Sequence, residues 1–126
     1  MNKEIISTQS APQPIGAYSQ AVKAGNMVFV SGQIALDPQT NQMANASFEQ
    51  ELEQVFANLE AVIHASGATF AHVVKFTIYL IELSLFSHVN DYMQKILEQP
   101  FPARVTVGVA SLPKNAQIEI DAILFI

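Results

Sequence analysis

The last ten residues, "QIEIDAILFI" (117–126), set the terms for the rest of the fold. In an extended strand, successive side chains point to opposite faces. Ile118, Ile120, Ala122, Leu124 and Ile126 therefore form one continuous apolar face. The other face starts polar with Gln117, Glu119 and Asp121, then turns apolar at Ile123 and Phe125. Such a strand needs helices over one face and, toward its C-terminal end, further cover over the other. A neighbouring subunit can supply that second cover.

The remaining elements provide the helices and the rest of the sheet. A short first strand is expected within 3–8, and "APQPIGAYSQAV" (11–22) reads as an ordered loop because its prolines and glycine oppose a helix. A strand follows at 27–31; Gly32 marks a bulge or a close backbone approach, with the sheet resuming over 33–36. "DPQTNQ" (37–42) is a turn. Ser47 with Gln50 forms a capping-box pattern, and Phe48, Leu52, Val55, Phe56, Leu59, Val62 and Ile63 recur at helical spacing up to a stop near Gly67. Glu49, Glu53 and Glu60 mark the solvated face of that helix. A strand at 72–81 precedes a second helix, capped by Ser84 and stopped by Pro100 and Pro102. Strands at 103–110 and 117–126 flank the turn "LPKN". The order predicts an α+β domain over 1–126, with one sheet and two helices packed on one of its faces.

Charge and composition disfavour some classes of function and exclude others. Lys and Arg number 6 against 11 Asp and Glu, a formal charge of −5, so no basic stripe tracks a nucleic-acid backbone. Cysteine is absent, which removes disulfides, thiolate nucleophiles and cysteine metal sites. The N-terminal "MNKEIISTQSAP" turns polar before a signal-like core forms, and the apolar runs are too short to cross a bilayer. A soluble protein of the cytoplasm is expected. His64, His72 and His88 show no metal-binding spacing, and no phosphate loop, dinucleotide fingerprint or nucleophile elbow is present.

Against this background one cation stands out. Arg104 lies inside the nearly apolar run "FPARVTVGVA" (101–110). Alternation puts Val105, Val107 and Val109 on one face and Arg104 and Thr106 on the other; the valines are expected in the core, with Arg104 and Thr106 on the uncovered side near Glu119. Two partners fit Arg104. One is internal, a salt bridge to Glu119 or Asp121, which need not add net stability. The other is a ligand carboxylate, which the planar guanidinium matches with two parallel hydrogen bonds. Tyr18, after Gly16, either closes over a ligand or anchors its own loop.

At these residues the sequence resembles the reactive-intermediate deaminase (RidA, YjgF-type) family. The resemblance runs through "IGAYSQAV" (15–22), "VFVSGQIALDP" (28–38), "VVKFTIYL" (73–80), "VNDYM" (89–93), "FPARVTV" (101–107) and "LPKNAQIEIDAI" (112–123). It implies a chorismate-mutase-like fold and a homotrimer with ligand clefts between subunits. The implied activity is hydrolysis of 2-imino acids, formed by pyridoxal-phosphate dehydratases, to 2-oxo acids and ammonia, with no cofactor and no metal. Carried over by position, Arg104 grips the substrate carboxylate and Glu119 holds the attacking water. Tyr18, Ser31, Gly32, Asn90 and Thr106 line the cleft. Thr106 stands where cysteine is frequent, Ala17 where proline is frequent, and Val105 where serine is frequent. The alternatives are a non-catalytic trimer that binds small carboxylates and, disfavoured by charge, a ribonuclease or translation inhibitor.

Overall fold

The computed structural model describes residues 2–126. Six strands, β1 (Glu4–Ile6), β2 (Ala21–Ala24), β3 (Met27–Gln33), β4 (Val73–Leu80), β5 (Ala103–Gly108) and β6 (Ile118–Phe125), form one mixed sheet in the order β1-β2-β3-β6-β4-β5. Only β4 and β5 run parallel, and α2 (Phe86–Ile96) lies in the crossover between them, as a parallel pair requires. Helix α1 (Phe48–Ala65) connects β3 to β4.

α1 begins and ends where its sequence directs. The Ser47 hydroxyl accepts from the Gln50 N–H at 3.1 Å. The Gln50 side chain reaches back to the Ala46 N–H at 2.6 Å, one residue beyond the reciprocal bond of a capping box. At the other end Gly67 takes φ +84, so that the Gly67 N–H donates to His64 O (3.0 Å) and the Ala68 N–H to Ile63 O (3.2 Å), a Schellman stop. Between them Leu52, Val55, Phe56, Leu59, Val62 and Ile63 are buried against Val28, Val30, Phe76, Ile78 and the even-numbered face of β6.

Polar groups inside this core hold the chain segments that carry the site. Glu51, 1% exposed, accepts from the Gln117 N–H at 2.7 Å and the Gln117 side chain at 3.3 Å, tying α1 to the start of β6. Asn58 donates to Ile34 O and Leu36 O, fixing the segment that leaves the sheet after Gln33. Gln20 accepts from the Thr8 N–H and donates to Thr8 O and Pro12 O, folding the N-terminal loop onto β2.

Three local expectations need correction. Residues 21–24 form a strand rather than loop, joined to β3 by the two-residue turn Gly25-Asn26, in which Gly25 has φ +61. The sheet ends at Gln33; beyond it only an isolated Leu36–Met43 bridge remains. Ser84 does not cap α2. It sits inside a 3₁₀ turn (Leu83–Leu85) that runs into the helix, and no side chain caps that start.

The faces of the sheet matter most. On β6 the alternation holds: Ile118, Ile120, Ala122 and Leu124 are buried under the helices, while Glu119, Asp121, Ile123 and Phe125 face away. On β5 the expected faces are inverted. Arg104 pairs with Phe76 and Thr106 with Ile78, both core positions of β4, so Arg104 and Thr106 lie on the helix side. Val105 and Val107 pair with Thr77 and Tyr79 on the open side and remain 41% and 37% exposed. β5 is an edge strand, and burial there within one chain does not follow apolar content. With Phe29 and Phe125, the two valines make an open sheet face that none of the described residues covers.

Candidate active site

Arg104 is held by α2. Its Nη1 donates to Asn90 Oδ1 at 2.9 Å, and its guanidinium lies 4.7 Å from the centroid of the Phe86 ring. An amide acceptor and an aromatic face orient the fork without neutralising it. Among the described residues the one contact between a basic and an acidic side chain is His88–Glu49, so no carboxylate meets Arg104. The expected internal bridge to Glu119 or Asp121 is not formed: Arg104 faces the helices from β5, whereas both acids face the opposite way from β6, with β4 between. Arg104 and Asn90 line a cavity of about 270 Å³ with Phe101, Pro102, Met93 and Leu97. Near Arg104 on the same strand, the Thr106 hydroxyl is buried and has no hydrogen-bond partner.

Glu119 belongs to a second, larger cavity of about 620 Å³, with Tyr18, Ser31, Gly32, Gln33, Ile34 and Lys114 among its lining. Ser31 is fixed at both ends, its N–H donating to Gln20 O (2.9 Å) and its hydroxyl to Ser19 O (2.6 Å). Tyr18, 53% exposed, accepts at its hydroxyl from the Ile15 N–H at 3.4 Å and so keeps its own proton available to a ligand. Burial first, and the nearby Asp121 carboxylate second, raise the Glu119 carboxyl above its ordinary value. Asp121 in turn accepts from the Tyr79 hydroxyl at 3.0 Å.

Gly32 answers both readings of it. The β3–β6 register shifts between Val30 and Gln33, so a bulge is present. A Cβ at Gly32 would also collide with the Glu119 carboxylate, standing 2.9 Å from its carboxyl carbon. The backbone there is not left-handed, so alanine would meet this clash alone. Gly32→Ala is expected to swing Glu119 aside and lower kcat by about 10- to 100-fold. Its Tm should stay within about 5 °C of wild type. Thermal melts and steady-state rates on one preparation check both.

The sequence-predicted residues thus fall into two sets. Tyr18, Ser31, Gly32 and Glu119 share one cavity, while Asn90 and Arg104 share another, with Thr106 on the same strand. Gln20, Glu51, Asn58 and Lys114 were not anticipated. Glu51 and Asn58 had a readable signal, since both fall on the apolar stripe of α1.

Residues 8–126 match the family model described as Endoribonuclease L-PSP. A 2-iminobutanoate/2-iminopropanoate deaminase of Dermatophagoides farinae is 51% identical over 98% of this chain and 97% of its own length. The crystal structure of RidA from the Antarctic bacterium Psychrobacter superposes with a TM-score of 0.94 at 44% identity, covering 98% of this chain and 99% of that one. The chain belongs to the RidA family. The Escherichia coli RidA-fold neighbour TdcF, solved with bound serine, matches with a TM-score of 0.92 at 35% identity over 98% of both chains. The RidA fold accounts for the six-stranded mixed sheet and its two helices.

Proposed function

We propose that this RidA-family chain is a deaminase that hydrolyses small 2-imino acids to 2-oxo acids and ammonia. Its cleft would lie between neighbouring copies of a cytoplasmic homotrimer, each copy a single deaminase domain spanning 1–126. The observation that carries this reading is the division of the site. The carboxylate-gripping group and the water-holding group lie on opposite sides of one sheet, so no single chain closes both on one ligand. The uncovered face with Phe29, Phe125, Val105 and Val107 is suited to the contact that brings them together. The serine bound to TdcF is a small amino acid whose carboxylate is of the type Arg104 would grip.

In this reading Arg104, braced by Asn90 and Phe86, holds the substrate carboxylate bidentately and fixes C2 of the protonated imine. The Gly32 N–H, Ser31, Tyr18 and the Thr106 segment orient the rest of the ligand. Glu119 holds a water, whose oxygen bonds to C2 as its proton passes to the carboxylate. The raised affinity of Glu119 for protons favours that transfer. The proton then goes to the carbinolamine nitrogen, the C–N bond breaks, and the hydroxyl loses its proton as the 2-oxo acid forms. The iminium is already electrophilic, so holding the water and C2 together supplies much of the acceleration.

The test is hydrolysis of freshly generated 2-aminocrotonate and 2-aminoacrylate, followed as 2-oxo acid formation. Wild type is expected to exceed the uncatalysed rate. Binding of 2-oxobutanoate without acceleration on any of several imines would favour the non-catalytic carboxylate-binding reading instead.

A further inference from the structure

The turn between β5 and β6 holds an unexpected residue in a costly conformation. Lys114 has φ 55 and ψ 31, and Asn115 follows at φ 56. Asparagine visits this left-handed region readily, whereas lysine does so rarely and glycine does so freely. The turn itself is closed by a backbone bond from the Ala116 N–H to Pro113 O at 3.0 Å, which asks nothing of the Lys114 side chain. A glycine at 114 would make the same turn without strain. Outliers of this kind persist where the surrounding structure holds them, and they cluster at functional sites.

Lys114 is also the sole cation lining the Glu119 cavity. No acidic group lies within ion-pair distance of it among the described residues. It forms no ion pair with Glu119, so it is not a partner of that carboxylate. The chain carries a net charge of −5, and Glu119 and Asp121 add local negative charge on the open face. An anionic imino acid therefore approaches an unfavourable field.

We infer that Lys114 is a specificity-determining residue of the cleft, an exposed cation at its mouth that draws carboxylate substrates in and disfavours neutral or cationic ones. This rests on the deaminase reading above. The role is in capture, since the grip on the bound carboxylate belongs to Arg104. It predicts an effect on kcat/KM that salt screens, because an exposed charge loses its reach as the Debye length falls from about 10 Å at 0.1 M to about 3 Å at 1 M.

The experiment compares wild type, Lys114→Met, Lys114→Arg, Lys114→Gly and a distant control, Lys3→Met, on the imine derived from 2-aminocrotonate, across ionic strength. Lys114→Met is expected to lose about 5- to 10-fold in kcat/KM at low salt, with kcat changed less than about 2-fold and the deficit closing near 1 M salt. Lys114→Arg should restore most of the loss, and Lys3→Met should show none. Lys114→Gly should show the same loss while melting no lower than wild type, since it removes the strain with the charge. An active wild type with Lys114→Met unchanged in kcat/KM and in salt dependence overturns the inference and leaves the deaminase reading intact. So does a loss that persists at high salt or follows a change in oligomeric state. A wild type without turnover overturns the deaminase reading itself.

Discussion

Arg104→Ala is expected to lower kcat/KM for imino-acid hydrolysis by about 10³-fold, the loss of about 4 kcal/mol of transition-state stabilisation. Two overlapping effects underlie that figure, so they do not sum. A charge-assisted hydrogen bond to a carboxylate is worth about 1.5–3 kcal/mol, and the guanidinium makes two in parallel. The same fork sets the distance between C2 and the water, and misplacement by about 1 Å costs about 100-fold. Stability should change little. Arg104 is exposed, and its removal forfeits one hydrogen bond to Asn90 and one contact with the Phe86 face, the latter about 0.5–1 kcal/mol. Arg104→Lys keeps the charge and loses the planar fork, so it should recover only a small part of the rate. Steady-state kinetics alongside melting curves separates the two effects. An Arg104→Ala protein that folds and turns over within about 10-fold of wild type would remove Arg104 from the mechanism.

What the sequence disclosed depends on how many faces of an element one chain decides. α1 and β6 were legible because each buries one stripe in its own core: Leu52 to Ile63 and Ile118 to Leu124 have a single place to go. β5 was misread for the opposite reason. As an edge strand it carries Val105 and Val107 toward an uncovered face and Arg104 toward the helices, which its alternation alone does not decide. β2 was hidden by the prolines and glycine just before it, although Gly25-Asn26 is a two-residue hairpin signal. Gly32 was readable because a glycine inside a strand has few reasons to be there, and both of them apply. The division of the site was not legible. Placing Arg104 and Glu119 on one side of a sheet was natural from alternation, and the parallel β4–β5 register is what separates them.

That separation yields the prediction with the sharpest outcome. Glu119→Gln should be inactive, because an amide holds a water but does not take its proton, with a loss of about 10²- to 10⁴-fold. It should also fold well. The Glu119 carboxyl binds its proton more tightly in the folded chain, so ionisation costs stability as pH rises through the folded-state value, and that cost is absent below the unfolded one. The glutamine variant should therefore melt higher than wild type near about pH 8 and alike near about pH 4. Mixing it with Arg104→Ala then asks where a complete site comes from. If both residues served one cleft from the same chain, every cleft in a mixed oligomer would carry one lesion. If they come from neighbouring chains, a cleft is intact whenever the arginine donor is a Glu119→Gln chain and its neighbour an Arg104→Ala chain. At equal mixing that is half times half, so co-refolded protein should regain about a quarter of wild-type activity, in either a trimer or another cyclic assembly. Recovery near that level, from two preparations each inactive alone, requires a site shared between chains. Absence of recovery in demonstrably mixed oligomers would confine the chemistry to one chain, where this sheet keeps Arg104 and Glu119 on opposite sides.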